Sequence, residues 1–162
     1  MGEKFDGTQG FYAALGVSDG TKSRIGKLQE LVESADGLEI SPLDELHCTI
    51  MFSPREIPAS LVVFSGGTAT YAVNVALFSQ DESTLVLELI PTPRLVNLFN
   101  KWKSVGAEGT WPDYRPHITI GKFPGGSSAD GKKKVCDLLN SLLQGHPLRV
   151  EFTDEYIENA NA

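Results

Sequence analysis

The chain divides into stretches where apolar residues recur at every second position and stretches where they recur every three or four. "FYAALGV" (Phe11 to Val17) is a short apolar strand, followed by "SDGT", which supplies turn and helix-cap chemistry. In "KSRIGKLQELVES", Ile25, Leu28, Leu31 and Val32 fall at helical spacing, predicting a helix from Lys22 to Ala35. "LHCTIMFSP" (Leu46 to Pro54) alternates again and reads as a strand ended by its proline. After a stretch punctuated by Pro and Gly (Ser53 to Thr68), "TYAVNVALF" and "STLVLELI" predict a hairpin turning at "SQDE". "PTPRLVNLFNKWKSVG" opens with prolines and ends in glycine, the punctuation of a helix, with Leu95, Leu98, Phe99 and Trp102 on one face. "PHITIGKFP" (Pro116 to Pro124) is another strand, and "GGSSADGKKK" a flexible connection into a helix over Lys132 to Leu143. "PLRVEFTDEYIENANA" closes with a strand and a polar tail.

Strand, helix, strand thus occurs once in each half. The pattern predicts an α+β fold of two similar lobes, antiparallel strands with flanking helices around a central cleft. With 162 residues the whole chain, 1–162, fits one domain with a substantial core.

Composition excludes several functions. The apolar fraction of 41% and charged fraction of 22% are ordinary for a globular chain. No apolar run approaches the length of a membrane span, and "MGEKFDGTQG" lacks the basic flank and apolar stretch of a signal peptide. Cys48 and Cys136 sit in apolar contexts without metal-ligand spacing and read as reduced core residues of a cytosolic protein. A net charge of −7 argues against gripping long nucleic acid, which takes a spread of Lys and Arg. A small anion in a local basic pocket is still compatible with that balance.

One phrase occurs twice. In both "LHCTIMFSP" and "PHITIGKFP" a His is followed two residues on by Thr and then directly by Ile. With only three histidines in the chain, two carrying Thr at that position is an accident on the order of one in a hundred. On a strand, residues i and i+2 share a face. His47 and Thr49 therefore point together, as do His117 and Thr119, while Cys48, Ile50, Ile118 and Ile120 point into a core. Two imidazoles on opposite sides of a phosphodiester suit in-line attack and departure, one as base and one as acid. The threonine hydroxyls are suited to donate to the non-bridging oxygens, where charge grows. This chemistry needs no metal, and no His, Cys, Asp or Glu set with ligand spacing is present to hold one.

Paired H-x-T motifs on separate lobes resemble the signature of the two-histidine (2H) phosphoesterase superfamily. Members of that kind act on 2′,5′ bonds, 2′,3′-cyclic phosphates, RNA 3′ ends or cyclic nucleotides without a metal. Within it, the small size, the opening "GFYAALG" and the following "LHCTIMFSP" resemble the phage anti-CBASS nucleases, which destroy cyclic oligonucleotide signals of bacterial defence. The resemblance implies catalytic roles for His47, Thr49, His117 and Thr119. It also implies aromatic side chains stacking on a base and a carboxylate near the C-terminus contacting substrate; Tyr12, Tyr156 and Glu151 are the matching positions. No cofactor, no metal and no membrane are implied. The partner is a cyclic oligonucleotide, cleaved at a 3′–5′ bond by the ribose 2′-hydroxyl, in the host cytoplasm for a phage-encoded chain. An RNA-end or 2′,3′-cyclic-phosphate phosphodiesterase, or a non-catalytic sponge for cyclic nucleotides, are the alternatives. Base preference, oligomeric state and which His is the base stay open.

Tyr12 fits strand packing as readily as a ligand contact, and Glu151 fits an exposed strand face. Trp111 and Tyr114, just before the second motif, either line the cleft or pack in the core. Arg115 and Lys122 flank that motif and either soften phosphate repulsion or are exposed strand charges. His146, at a helix end where a cation suits the dipole, receives no catalytic role. "DEYIENANA" is too polar for a core element, yet the resemblance places substrate contacts there. It is therefore expected to be mobile when empty and to close over a bound nucleotide, with Tyr156 on a base.

Overall fold

The computed structural model describes residues 11–53, 67–104 and 114–159. The two motifs open two strands, β3 (His47–Ser53) and β6 (His117–Lys122). β1 (Phe11–Val17) lies antiparallel between β3 and β7 (Leu148–Asn159). β4 (Thr68–Phe78) joins β7 to β5 (Thr84–Leu89), and β5 pairs with β6. β2 (Glu39–Ile40) pairs with the end of β6. Because β6 also meets β3, through the pair Cys48↔Ile118, the order β3-β1-β7-β4-β5-β6 closes on itself.

The predicted two-lobe α+β arrangement is what this pairing builds. One lobe runs β1, α1 (Asp19–Val32), β3; the other runs β5, α2 (Pro93–Ser104), β6; α3 (Ala129–Gly145) leads into β7. In each lobe the motif strand folds back antiparallel on the strand before its helix, setting Gly16 beside His47 and Glu88 beside His117. A bulge falls at the same place in both motifs. Thr49 faces Ala14 and Met51 faces Ala13, so Ile50 is an extra residue relative to β1. Thr119 faces Val86 and Gly121 faces Leu85, so Ile120 is the extra residue relative to β5. Both isoleucines are fully buried. Burying the odd residue bends each strand just after its His/Thr pair, a device common beside active sites.

Local chemistry sets the helix ends. The Ser18 side chain accepts a hydrogen bond from the Thr21 amide at 3.2 Å, so α1 starts at Asp19, one turn earlier than the apolar periodicity alone indicates. Thr92 caps α2 through the Leu95 amide, with Pro93 in the first turn where its missing N–H is harmless. Leu95, Leu98, Phe99 and Trp102 are buried, as their spacing predicts. Ser128 caps α3 through the Gly131 amide, so the second half of "GGSSADGKKK" is helix and not a flexible connection.

The polar tail departs furthest from expectation. Residues 154–159 form the second half of β7, paired with β1 from Leu15↔Glu155 to Phe11↔Asn159, where a free polar tail was expected; residues 160–162 lie outside the described residues. Backbone pairing takes no account of side-chain polarity, and the fully buried Glu155 is fixed beneath the strand. Its carboxylate accepts from Trp102 Nε1 at 2.8 Å and from Lys101 Nζ at 3.0 Å, both on α2. A buried carboxylate is tolerated only with such partners. Among the described residues, no helix is long and apolar enough to cross a membrane.

Candidate active site

The two histidines are held in the same way. His47 Nδ1 lies 2.8 Å from the carbonyl oxygen of Glu45, and His117 Nδ1 lies 2.9 Å from that of Arg115. A carbonyl can only accept, so each Nδ1 carries the proton. In the neutral ring the basic nitrogen is then Nε2. Each imidazole is thus fixed in tautomer and orientation by the backbone two residues before it.

His47 and His117 are half-buried, as are Thr49 and Thr119, while Cys48, Ile50, Ile118 and Ile120 are fully buried. The faces of both strands are therefore as the alternation predicts. The pairs are close enough for His117 to feel the charge of His47. Burial is the largest influence on His117 and lowers its pKa from the ordinary imidazole value. The Arg115 carbonyl and the Glu88 carboxylate oppose that, whereas the His47 and Arg115 charges reinforce it.

A cleft of about 960 Å³ opens beside the first motif, lined by His47 and, from the second motif, Thr119, while Thr49 and His117 are not among its lining residues. Tyr12, Tyr156 and Glu158 line it too. The Tyr12 ring centroid is 6.2 Å from that of His47 and 6.4 Å from that of Tyr156, edge-on. Tyr12 donates to Glu158 Oε2 at 2.5 Å. Burial and the neighbouring carboxylate raise the phenol pKa of Tyr12 and push that of Tyr156 up to about 12, so both stay neutral. Gly16, beside His47, leaves room for the Thr153 side chain, since a Cβ there would stand 2.7 Å from Thr153 Oγ1. Lys22 contributes positive charge to the lining, and Asp19, Asp44, Glu45 and Glu158 negative charge.

The structure brings Tyr12 and Tyr156 together beside His47, but not Glu151. That carboxylate is absent from the cleft lining and pairs with Arg24 at 3.3 Å and Arg149 at 3.7 Å. The carboxylate that β7 does present is Glu158, which the polar tail hid among its other acids. A second wall stands beside His117, formed by Arg115, which the sequence places next to the motif, and by Phe78, which it does not. The Phe78 ring centroid is 4.6 Å from the His117 ring, and the Arg115 guanidinium lies 4.6 Å from the same Phe78 centroid. Arg115 is in turn held by Glu88 at 2.7 Å, and Asn74 donates to Glu88 at 2.9 Å. An aromatic at the end of a hairpin strand carries no local mark of this role. Tyr114 packs against the core, and Trp111 lies outside the described residues. Among the described residues no group of three or more His, Cys, Asp or Glu is placed to hold a metal ion.

Both the closed antiparallel arrangement and the duplicated His/Thr strands define a two-histidine phosphoesterase fold. Solved structures agree: E. coli LigT complexed with phosphate matches with a TM-score of 0.60 at 16% identity, over 92% of this chain and 85% of that one. TT0787 of Thermus thermophilus matches with a TM-score of 0.58 at 12% identity, over 92% and 84%. The family model "Anti-CBASS protein Acb1" matches residues 9–161, and the chain belongs to that family. It is 27% identical to the Acb1 protein of Vibrio phage KVP40 over 155 residues, 96% of this chain and 90% of the relative. With that of Enterobacteria phage T4 it shares 28% over 158 residues, 96% and 99% of the two chains.

Proposed function

We propose that this protein is a phosphodiesterase that opens cyclic di- and trinucleotide signals by internal attack of a ribose 2′-hydroxyl, as a phage counter-defence protein acting in the host cytoplasm. The observation that carries the reading is the twin anchoring of His47 and His117 through Nδ1, which leaves Nε2 of each ring for the reaction, with a threonine on the same strand face. Burial favours neutral His117, the state a base requires.

In the proposed step His117 Nε2 takes the proton of the 2′-hydroxyl as that oxygen bonds to the adjacent phosphorus. The bond from phosphorus to the 5′-oxygen breaks, and protonated His47 gives its Nε2 proton to the leaving oxygen. Thr49 and Thr119 donate to the non-bridging oxygens, where negative charge is greatest in the transition state. The product is a linear oligonucleotide ending in a 2′,3′-cyclic phosphate. No atom is gained or lost, and the two imidazoles end with their protonation states exchanged. Tyr12 and Tyr156 offer rings for one base, and the acidic lining suits the amino groups of base edges better than a run of phosphates.

Incubation with a panel of cyclic di- and trinucleotides in excess EDTA, read by liquid chromatography with tandem mass spectrometry so that the isomeric linear product is separated from the ring, tests this. The expected product has the mass of the ring and a 2′,3′-cyclic end. Binding without cleavage indicates a sponge, cleavage of only RNA ends or 2′,5′ bonds indicates the other enzyme class, and activity restored by a divalent ion refutes the mechanism.

A further inference from the structure

The reaction needs two histidines from two strands at one separation, yet the described ladder between those strands is a single pair, Cys48↔Ile118. Continued one step in the same register, Thr49 would face His117 and Ile50 would face Pro116. Proline has no N–H to donate, so the ladder stops there. What crosses the joint at this point is a side chain.

Tyr114 precedes the second motif by three residues, and its hydroxyl reaches back to donate to the Thr49 carbonyl at 3.3 Å. The Cys48 sulfur lies 3.7 Å from the same hydroxyl and is within hydrogen-bonding reach of the His117 backbone. The residue between His47 and Thr49 therefore touches both Tyr114 and the second histidine's main chain. On its far side the Tyr114 ring stacks on Phe99 of α2, centroids 4.8 Å apart and planes 14° apart. The ring that carries the hydroxyl is thus braced against α2. Burial pushes the Cys48 thiol up to about 11 and the Tyr114 phenol higher still, so both remain neutral hydrogen-bonding groups, unsuited to proton transfer near neutrality.

We propose that Tyr114 is a positioning residue whose hydroxyl, bonded to the Thr49 carbonyl beneath the joint of the motif strands, sets the placement of His47 and Thr49 relative to His117 and Thr119. The role rests on the phosphodiesterase reading above. It predicts a loss in turnover rather than in substrate binding, because the Tyr114 hydroxyl is engaged by the Thr49 carbonyl and the Cys48 sulfur and its ring by Phe99. Displacement of a reacting group by about an ångström costs up to about a hundredfold, and loosening one tie should cost about tenfold.

Tyr114→Phe keeps the ring on Phe99 and deletes only the hydroxyl. Expected are a kcat about tenfold below the parent, a KM within about twofold, and a melting temperature within a few degrees. The pH titration of the His117 imidazole, followed by NMR in the intact protein without substrate, should shift, since His117 senses the charge of His47. A parental kcat, a kcat lowered only in step with the folded fraction, or a titration curve that superposes on the parent's would overturn the proposal. If the parent cleaves no cyclic oligonucleotide, the substrate reading fails while the titration still decides this one. A shifted curve then supports the role of Tyr114, and a superposed curve refutes it.

Discussion

Tyr156→Ala removes one of the two rings on the wall beside His47. Tyr156 is half-buried and sits edge-on to Tyr12 at 6.4 Å, on a strand whose backbone is paired through Ala14↔Tyr156. The variant therefore keeps the ladder and loses only the ring. Base–aromatic stacking is worth about 1–3 kcal/mol, which converts to about five- to 150-fold in kcat/KM. The lost Tyr–Tyr contact costs the fold about 0.5–1.5 kcal/mol, or about 1–6 °C in melting temperature for a chain of this size. The two effects are separable by assaying well below the variant's transition. Initial rates against a cyclic dinucleotide should place the loss mainly in KM, with slow but definite cleavage at saturation, because the His/Thr pairs are untouched. Tyr156→Phe should stay near the parent, since the ring and not the hydroxyl makes the contact. Truncation after Asp154 is no substitute, because it also removes the β1–β7 pairing from Leu15 to Phe11. A parental KM for Tyr156→Ala, or a collapse of kcat with KM unchanged, would refute the stacking role.

His47→Ala and His117→Ala should each lower kcat by at least about 10², and the double variant should lose far less than their product, because both serve one concerted transfer. A single variant with near-parental turnover would remove that histidine from the mechanism. Since burial lowers the pKa of His117, the acid-side limb of kcat/KM should lie below the ordinary imidazole value of 6.5. Glu88 stabilises the imidazolium, so Glu88→Gln should move that limb further towards acid; a move towards alkali would contradict the assignment. Trp102→Phe deletes the 2.8 Å bond to the fully buried Glu155 carboxylate and should destabilise by about 1.5–3 kcal/mol, with urea unfolding as the measure. A midpoint unchanged from the parent would show that Glu155 does not depend on that bond.

Which residues could do the chemistry was legible along the chain alone. A His and a Thr two apart on a strand must share a face whatever the rest of the chain does. Both pairs, the buried isoleucines after them and the two strand–helix–strand units could therefore be read locally. The cap chemistry of "SDGT" was legible for the same reason, since a cap bonds within three residues, although the apolar periodicity puts the helix start at Lys22 and not at Asp19. What stands opposite these residues came from the pairing of distant strands. Glu158 and not Glu151 joins the cleft because the β1–β7 pairing sets Glu158 against Tyr12, whereas Glu151 lies at the other end of β7, beside Ser18 and Arg24 of the first lobe. Phe78, remote in sequence, came to stand against His117 and Arg115 only in the folded chain, and the polar tail became a strand because β1 offered it a backbone partner. Side-chain periodicity is a property of one strand, but register is a property of two. Only the closed sheet chose, from many equivalent acids and aromatics, the few that face the histidines.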